Sequence, residues 1–378
     1  MRVLVAMSGG VDSSTVAGLL VEQGHEVIGA TLQLYDHGAA IGRKGACCAG
    51  QDIHDAARVA DHLGIPHYVI DAEARFRAAV IGEFADSYAA GETPVPCVRC
   101  NQTVKFTDLM ALAADLGAER LATGHYVRRV EGPDGPELHR ATDPARDQSW
   151  FLFATTQAQL ARSMFPLGDM ADKAMVRAAA TRLGIAVAAK PDSQDICFVP
   201  TGSYADIVAR LRPDAAEPGE IVAVDGTVLG RHDGIAHYTV GQAKRLGSAA
   251  QVGGQRRVVV SLDPARRRVV VGPANSGTNT CELRDVNWLV PPARLRCRVK
   301  LRAREEPHAA WVEPDGTGAK VLLDTPALPA PGQACVFYDG ERVLGGGFIR
   351  AARPAPVDAP HGGRYLAASD GHGGVAQW

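Results

Sequence analysis

The sequence lacks several features that would assign a protein directly to a class. Only 6% of its 378 residues are aromatic, and 40 Lys and Arg against 42 Asp and Glu leave a formal net charge of −2. That small charge excludes a strongly basic nucleic-acid binder if the whole chain is treated as one unit. No apolar run reaches the roughly 18 residues that a membrane-spanning helix needs. Because the first residues run directly into a glycine-rich motif, we expect no signal peptide and a cytoplasmic protein.

Cysteine is not scarce, but its spacing is not typical of a disulfide framework. The cysteines are Cys47, Cys48, Cys97, Cys100, Cys197, Cys281, Cys297 and Cys335. In a cytoplasmic chain of this length, they indicate thiol chemistry or metal binding. Cys97 and Cys100 form a C-x-x-C, typical of half a zinc site or of a redox pair, but the adjacent cysteines at 47 and 48 lack the spacing of a second half. Cys197, between Ile and Phe, is by itself more typical of a buried core cysteine. We expect the last three cysteines to pack in β segments.

The chain is too long for one hydrophobic core, since single cores rarely grow beyond about 250 residues. Its first 200 residues alternate apolar strands (2–7, 26–34) with helical patterns (12–23, 52–63), which predicts an α/β domain with a parallel sheet covered by helices on both faces. Helices are also expected over 76–88 and 103–116. Beyond residue 200, Pro and Gly separate short strand-like runs. We expect a small central domain over 201–280, a C-terminal β-barrel-like domain over 281–352 and a mobile tail over 353–378.

A phosphate-binding loop is predicted between the first strand and the first helix. The segment Ser8-Gly9-Gly10-Val11-Asp12-Ser13-Ser14 combines two glycines, hydroxyl donors and a helix N-terminus, all of which suit a phosphate group. It contains no Lys, so it is not a Walker A loop. The alternative is an ordinary strand–turn–helix with a Ser or Asp N-cap. The complete string favours phosphate binding.

Five motifs, which follow one another along the chain in the order typical of a known family, carry a resemblance to that family. They are the loop itself, T-P-V-P-C-V-R-C-N at 93–101, A-T-G-H-Y at 122–126, R-D-Q-S-W-F-L at 146–152 and K-P-D-S-Q-D-I-C-F at 190–198. Together they closely resemble the bacterial tRNA-specific 2-thiouridylase family, over residues 1 to about 350. The resemblance implies an adenine-nucleotide α-hydrolase-like (PP-loop) fold, ATP cleaved between its α and β phosphates, Mg²⁺, and sulfur placed on the wobble uridine of tRNA.

The resemblance also implies roles for individual residues. The nucleotide pocket would be lined by Ala6, Met7, Ser8, Gly9, Gly10, Val11, Asp12, Ser13, Leu32 and Gly124, with Asp12 helping to hold the metal–pyrophosphate. Cys197 would carry a persulfide, delivered by a sulfur-donor protein, and Cys100 would attack it, leaving a Cys100–Cys197 disulfide. The tRNA would be contacted by Arg146, Asp147, Gln148, Arg302 and Ala303. Arg99 and Lys105 are candidate neighbours that lower a thiol pKa.

One motif departs from the family pattern. The family has Asn-Pro-Asp where this chain has Val95, Pro96 and Cys97, so the base contact assigned to that Asp is not carried over. Cys97 either competes for sulfur or fills the position. His125 and Asp195 are both candidates for proton transfer, and the sequence does not select one.

The basic charge is concentrated in one part of the chain. Residues 241–304 contain 14 Lys and Arg against 3 Asp and Glu, a local net charge of +11, which leaves −13 for the remainder. From Arg294 to Arg304 basic and apolar residues alternate, so a strand there is expected to have one wholly basic face. A solvated face is the alternative, but like charges repel, and an anionic partner explains them better.

Two other functions stay open on the sequence. An amide-forming PP-loop ATP pyrophosphatase that acts on a small metabolite would share the loop, but it needs neither paired cysteines nor a basic strand. A non-catalytic RNA-binding module would need neither an intact loop nor the two cysteines at 100 and 197.

Overall fold

The computed structural model describes residues 1–35, 48–192, 196–199, 204–252 and 255–350. Cys47, Asp195 and the predicted tail over 353–378 lie outside these residues. Within the described ranges, no helix combines the length and the apolarity that crossing a membrane requires.

The N-terminal region contains the predicted parallel sheet. The strands described here are β1 (Arg2–Ala6), β2 (Glu26–Gln33), β3 (His67–Asp71), β4 (Arg120–Ala122), β5 (Val127–Gly132), β6 (Gly135–Arg140) and β7 (Ser163–Met164). The parallel sheet has the order β3-β2-β1-β4-β7, and β5 and β6 form an antiparallel hairpin outside it. In β1, Val3 and Val5 pack in one core cluster and Leu4 in another, because successive strand residues face opposite sides. Both faces of the sheet are therefore buried.

Helices cover both faces of this sheet. The described α-helices are α1 (Val11–Glu22), α2 (Cys48–Leu63), α3 (Glu73–Phe76), α4 (Glu83–Ala89), α5 (Pro96–Cys100), α6 (Phe106–Asp115), α7 (Ser149–Leu152), α8 (Gln157–Ala161), α9 (Lys173–Arg182) and α10 (Tyr204–Leu211). The helices predicted over 76–88 and 103–116 begin earlier and are interrupted. A π-helical turn, Arg77–Gly82, joins α3 to α4, and another, Asn101–Lys105, joins α5 to α6.

The second π-helical turn changes which side chains share a face. Its hydrogen bonds join residues five apart, such as the Phe106 N–H and the Asn101 carbonyl. In a regular α-helix, residues five apart differ by about 140° around the axis. In a π-helical turn they lie about one turn apart, so Lys105 lies on the same side as Cys100. The helical period used for sequence prediction does not anticipate this.

The central region is built on a mixed sheet. Its described strands are β8 (Gly219–Ala223), β9 (Val228–His232), β10 (Gln251–Val252), β11 (Gln255–Asp263) and β12 (Arg268–Pro273). They have the order β10-β11-β12-β8-β9, in which only the β12–β8 pair is parallel among the described strands. Short 3-10 turns lie at Pro213–Ala216, Ile235–His237 and Gly247–Ala250. Val259, Val269 and Val271 are fully buried in its own core, so the predicted small central domain is confirmed.

The C-terminal strands form a closed antiparallel barrel, as the predicted fold class requires. They are β13 (Thr278–Trp288), β14 (Leu295–Lys300), β15 (His308–Asp315), β16 (Gly318–Ala327), β17 (Ala334–Asp339) and β18 (Arg342–Ile349). Their order is β13-β16-β15-β14-β17-β18, and β18 pairs back with β13 to close the barrel. The β5–β6 hairpin attaches to it, since Arg342 pairs with His139.

The barrel and the N-terminal domain share an apolar core. Trp150 and Phe153 pack in one cluster with Tyr338 and Phe348 of the barrel. The rings of Phe153 and Phe348 meet edge to face, with centroids 5.6 Å apart. Because burial of a large side chain contributes roughly 1.5–3 kcal/mol, this shared core holds the barrel against the parallel-sheet domain.

Candidate functional site

The loop between β1 and α1 has a backbone that requires glycine. Gly9 has a φ of +70°, and a Cβ on it would lie 2.2 Å from the main-chain oxygen of Asp52. Gly10 is extended immediately before α1, and no described side chain caps that helix. The first-turn N–H groups of α1 and the positive end of its dipole are therefore left for an anionic ligand.

Serine hydroxyls belong to the same loop. The Ser8 N–H donates to Ser13 Oγ at 3.0 Å, and the two hydroxyl oxygens are 3.2 Å apart. The Ser14 hydroxyl is fully buried and has no hydrogen-bond partner among the described residues. Leaving a buried hydroxyl without a partner costs about 1–3 kcal/mol, which gives a reason to expect an acceptor from a bound ligand.

Asp12 belongs to a network of charges beside the loop. Lys173 Nζ lies 2.7 and 2.8 Å from its two carboxylate oxygens, and the Tyr126 hydroxyl donates to Oδ1 at 2.6 Å. Lys173 also pairs with Asp192 at 2.7 Å, and Asp192 pairs with Arg146 at 2.7 Å. Burial opposes ionisation of Asp192, but hydrogen bonds from Lys173 and Arg146 outweigh it and lower its pKa. The network fixes Asp12 at the start of α1.

Lys190 ties the loop to α2. Its Nζ donates to the Gly9 carbonyl at 3.0 Å and to Asp52 and Asp55 at 2.7 Å each. Burial would raise the pKa of Asp55, but its hydrogen bonds, chiefly from Lys190, lower it. Lys190 is therefore a positioning residue for the loop. Its place in the 190–198 motif did not reveal this role, and Lys173 lies in none of the motifs.

The turn after β4 connects the loop to the second half of the site. Gly124 lies against α1, since a Cβ on it would be 2.9 Å from the Ser13 nitrogen. Tyr126 contacts the aspartate of the loop, as described above. Between them, His125 is buried, and its burial together with the nearby Lys105 ammonium lowers its pKa. Three consecutive residues therefore contact the loop on one side and lie within electrostatic range of Lys105 on the other.

The predicted nucleotide-contacting residues come together at the carboxyl ends of parallel strands. Ala6 ends β1 and Met7 follows it, Leu32 lies near the end of β2, and Gly124 follows β4. With residues 8–13 they form one edge of the sheet, where open α/β sheets bind their ligands. The Met7 side chain is buried, so a ligand would meet its backbone. Contact with a nucleotide stays a prediction.

The structure brings Cys197 next to α5, which carries Cys97 and Cys100. Cys100 and Phe198 are buried in the same apolar cluster, and the Phe198 ring packs edge-on against Phe84 with centroids 5.3 Å apart. Phe198 thereby anchors the segment that carries Cys197. Cys97 and Cys197 are exposed, Cys100 is buried, and none of the three forms a disulfide. We call these three residues the thiol cluster.

Two factors set the acidity of the thiol cluster: the protein atoms packed around the sulfurs and one cation. Although Cys97 and Cys197 are exposed as residues, the protein around their sulfurs displaces water; this desolvation raises the pKa of Cys197 to about 12 and raises the pKa of Cys97 and of the buried Cys100 above the ordinary value. The Lys105 ammonium acts in the opposite direction on all three. The resting thiols are therefore protonated at neutral pH, and Lys105 is the charge that is placed to stabilise a thiolate.

Arg99, the other candidate cation, is engaged elsewhere. Its guanidinium pairs with Glu83 at 2.7 Å and with Asp285 at 3.1 Å, and it lies 4.3 Å from the centre of the Phe348 ring. Two carboxylates neutralise its charge, and it does not contribute to the acidity of any of the three thiols. Arg99 links α5 to the barrel, and the prediction that it activates a thiol is wrong.

His125 does not fit the role of a general acid or base. Burial, assisted by the charge of Lys105, lowers its pKa to about 3, so the ring is neutral and only weakly basic at physiological pH. Its Nδ1 lies 2.9 Å from Thr123 Oγ1, and the ring stacks on Phe106 with centroids 6.5 Å apart. The other candidate, Asp195, lies outside the described residues.

The three cysteines of the C-terminal strands have a structural place. Cys281, Cys297 and Cys335 are buried in the core of the barrel, as predicted. Across the part of the chain that the structure describes, no group of three or more His, Cys, Asp or Glu side chains is arranged to hold a metal ion.

The predicted tRNA contacts near α7 differ in accessibility. The Asp147 carboxylate is 4% exposed and accepts from the Ser149 N–H at 3.1 Å and the Ser149 hydroxyl at 3.0 Å. Gln148 Oε1 accepts from the Tyr126 N–H at 2.9 Å. Arg146 is 39% exposed. Asp147 and Gln148 thus shape the turn, and Arg146 is the accessible charge.

The second predicted pair, Arg302 and Ala303, lies where the barrel meets the central domain. The Arg302 guanidinium donates to the Val240 carbonyl at 2.9 Å and to the Leu328 carbonyl at 3.3 Å. Ala303 packs against the core shared by the barrel and the N-terminal domain. Arg302 therefore joins two domains.

The expectation of a continuous basic face over residues 294–304 is wrong. β14 ends at Lys300, which is 7% exposed and donates to the Ala303 carbonyl at 2.7 Å. Arg296 forms two hydrogen bonds to Asp324, at 2.8 and 2.6 Å. Acidic residues on other strands, Glu313 on β15 and Asp324 on β16, neutralise part of the charge, and the sequence pattern of β14 alone does not show them.

Comparison with known proteins identifies the family. The model described as the tRNA methyl transferase HUP domain matches residues 1–201, the tRNA methyl transferase PRC-barrel domain matches 206–273, and the aminomethyltransferase β-barrel domain matches 278–349. A tRNA-specific 2-thiouridylase MnmA of Acidiphilium cryptum (strain JF-5) is 70% identical over 351 residues, which cover 92% of this chain and 100% of the relative. The chain belongs to the tRNA-specific 2-thiouridylase family.

Other 2-thiouridylases match over nearly the whole chain as well. That of Gluconobacter oxydans (strain 621H) is 63% identical over 359 residues, covering 93% of this chain and 99% of the relative. Among solved structures, a 4-thiouridine synthetase–RNA complex with bound ATP is 16% identical and covers 56% of this chain and 50% of its own, with a TM-score of 0.36. That likeness is too weak to support a statement about function. The family predicted from the motifs is confirmed.

Proposed function

We propose that this member of the 2-thiouridylase family transfers sulfur to C2 of the wobble uridine of tRNA in an ATP-dependent reaction. One observation carries the proposal: the turn over residues 124–126 contacts the glycine-rich loop and lies within electrostatic range of Lys105, which lies beside the thiol cluster. An oxygen activated at the loop would therefore lie close to a sulfur held by the cluster. The names of the relatives support the same reaction.

ATP is the proposed first substrate. The C2 oxygen of uridine is a poor leaving group, and its attack on the α-phosphorus of ATP converts it to an adenylate and releases pyrophosphate. The first-turn N–H groups of α1, the two glycines and the serine hydroxyls fit the phosphates. Mg²⁺ prefers oxygen ligands and keeps few protein ones, so Asp12 fits it together with phosphate oxygens. The ion would offset phosphate charge, and Lys173 supplies a second positive charge beside Asp12.

Sulfur transfer is proposed to use two members of the thiol cluster. The terminal sulfur of a Cys197 persulfide bonds to C2 as AMP leaves. The Cys100 thiolate then attacks Sγ of Cys197, which breaks the sulfur–sulfur bond and leaves sulfur on the uridine. The sulfane sulfur gains two electrons, and the two thiols lose them by forming a Cys100–Cys197 disulfide. Lys105 is placed to stabilise the attacking thiolate.

Two macromolecular partners are proposed. A persulfide-carrying donor protein would load Cys197, whose exposure leaves it accessible to another protein. The tRNA would contact the central domain over 201–280 and the barrel over 281–352, where Lys244, Arg256, Arg298 and Arg304 are exposed. With Arg146 near the loop, these cations suit the phosphate backbone of a nucleic acid.

The test is to incubate the protein with ATP, unmodified tRNA and a persulfide donor, and to measure 2-thiouridine and pyrophosphate. We expect 2-thiouridine at the wobble position and pyrophosphate release that depends on tRNA. Pyrophosphate release that needs a small amine or acid instead of tRNA would support the amide-forming alternative. Absence of 2-thiouridine with an active donor would overturn the proposal.

A further inference from the structure

The thiol cluster contains one cysteine more than the proposed sulfur transfer uses. Cys97 and Cys100 lie three residues apart on α5, which begins at Pro96. Cys97 is exposed, whereas Cys100 is 4% exposed. An accessible first thiol followed by a buried second thiol at the start of a helix is a suitable arrangement for disulfide exchange with a partner.

The reaction creates a disulfide that the enzyme has to open before the next turnover. A Cys100–Cys197 disulfide would occupy the persulfide-carrying cysteine, and one of its sulfurs is buried. Residues three apart in a helix have Cα atoms about 5 Å from each other, within the range of roughly 4.4–6.8 Å that disulfides span. Their Cβ atoms are about 5–6 Å apart and must approach to roughly 3.5–4.5 Å, so Cys97 can reach Cys100 through a local adjustment of the first turn of α5.

We propose that Cys97 is a third catalytic thiol, which resolves the Cys100–Cys197 disulfide and transfers it to the exposed end of α5. The inference rests on the proposed function. The Cys97 thiolate attacks Sγ of Cys100, the Cys100–Cys197 bond breaks, and Cys197 leaves as a thiol that takes up the proton released by Cys97. One thiol and one disulfide give a new disulfide and a new thiol, so the exchange needs no oxidant. A dithiol reductant, whether a protein or a small molecule, then reduces the Cys97–Cys100 disulfide.

The charges around the cluster agree with this order of events. Lys105 favours the thiolate form of all three cysteines, so it serves whichever sulfur is the nucleophile or the leaving group at each step. Thiol–disulfide exchange proceeds through attack by a thiolate. An internal thiol also has a high effective concentration compared with a reductant in solution.

The experiment traps the disulfide after one turnover. Persulfide-loaded enzyme is mixed with ATP and tRNA without reductant, alkylated and digested with trypsin, which cleaves after Arg99 and separates Cys97 from Cys100. We expect a Cys97–Cys100 linkage in the unaltered chain and a Cys100–Cys197 linkage in Cys97→Ser. Repeated turnover of the variant with a dithiol reductant should fall about tenfold or more relative to its own single turnover, because the internal nucleophile is lost.

Controls separate this inference from its rivals. Excess phosphine, which reduces disulfides directly, should restore repeated turnover in Cys97→Ser, and Cys97→Ala should behave in the same way. A Cys100–Cys197 linkage alone in the unaltered chain, with repeated turnover equal in both proteins, would overturn the relay. So would stoichiometric zinc or iron in the purified protein that is lost in Cys97→Ser, because the three thiols would then hold a metal. If the unaltered chain makes no 2-thiouridine, the proposed function fails first.

Discussion

The two halves of the candidate site are built in opposite ways. Around the loop, each charged side chain has a partner of opposite charge: Asp12 contacts Lys173, and Lys190 contacts Asp52 and Asp55. Beside the thiol cluster, Lys105 is half-buried, and no carboxylate among the described residues pairs with it. The titratable groups near it are the three sulfurs of the thiol cluster, which are protonated and uncharged at rest.

The difference shows what each half has to do. A network of paired charges has a small free-energy cost in the folded protein, and its side chains move little when a charged ligand binds. Such a network suits a rigid binding site for phosphates. A half-buried cation without a partner of opposite charge carries a desolvation cost in the resting state. That cost is offset only when a thiolate forms beside it, so the charge stabilises the reacting state more than the resting one.

The largest effect is expected from Cys197→Ser, which should impair sulfur transfer at the thiol cluster and leave pyrophosphate release at the loop intact. Serine cannot carry a persulfide, so 2-thiouridine formation should fall by a factor on the order of a thousand or more, as when a covalent nucleophile is removed. Pyrophosphate release dependent on tRNA should persist, because the loop does not contact this residue. The two products can be measured in the same reaction mixture. Undiminished 2-thiouridine would remove Cys197 from the persulfide role.

Asp12→Asn is expected to impair the reaction at the loop, which is measured as pyrophosphate release. The amide keeps the shape but loses the charge that binds Lys173 and fits Mg²⁺, so pyrophosphate release should fall about a hundredfold, as when one electrostatic group of a site is removed. Persulfide loading of Cys197, measured by mass spectrometry, should be unchanged. Glu22→Gln is the matched control, since Glu22 lies in the same helix and pairs only with Arg182 among the described residues. Normal pyrophosphate release by Asp12→Asn would contradict the assignment.

The third prediction compares two lysine variants, one in each half of the site. Lys105→Met should slow alkylation of Cys97 by iodoacetamide at pH 8, because loss of the ammonium raises the thiol pKa further and lowers the fraction of thiolate. ATP binding should be unaffected. Lys190→Met should give the reverse, with weaker ATP binding and unchanged alkylation. Equal behaviour of the two variants would mean that the halves are not independent.

The same measurement has a defined pH dependence. Because burial raises the pKa of Cys97 above its ordinary value, the thiolate is a minor species below that pKa, and its fraction rises tenfold with each pH unit. The alkylation rate of Cys97 should therefore increase log-linearly from pH 6 to 9, and the Lys105→Met profile should lie at higher pH. A plateau near neutral pH would show a thiol that is already ionised.

Much of the fold followed from local pattern, and less of the site did. Apolar strands alternating with helices were enough to predict the parallel sheet, and the glycine-rich string was enough to predict the loop at its edge. The contacts of Lys173 and Lys190 depend on residues more than a hundred positions away. The side of the helix on which Lys105 lies depends on a π-helical turn, which the helical periodicity of the sequence does not predict. Arg99, the other candidate cation, pairs instead with the carboxylates of Glu83 and Asp285.

The contrast between paired and unpaired charges extends to the barrel, where the smallest effects are expected. Arg296 and Arg298 both project from β14 and are exposed, but only Arg296 has an ion-pair partner among the described residues. Arg298→Glu should weaken tRNA binding a few-fold. It should also reduce the slope of log Kd against log salt concentration by about 1 or more, because an unpaired cation that contacts tRNA phosphates releases counterions from them.

Arg296→Glu tests whether pairing decides this. Its guanidinium already contacts Asp324, so its phosphate contribution should be smaller and the salt dependence should change less than for Arg298→Glu. Binding of tRNA to both variants would be measured at several salt concentrations. If the two variants change the slope equally, exposure alone decides which cations of the barrel meet tRNA. If neither changes it, tRNA does not contact β14, and the exposed cations of the central domain, such as Lys244 and Arg256, are the next to be replaced.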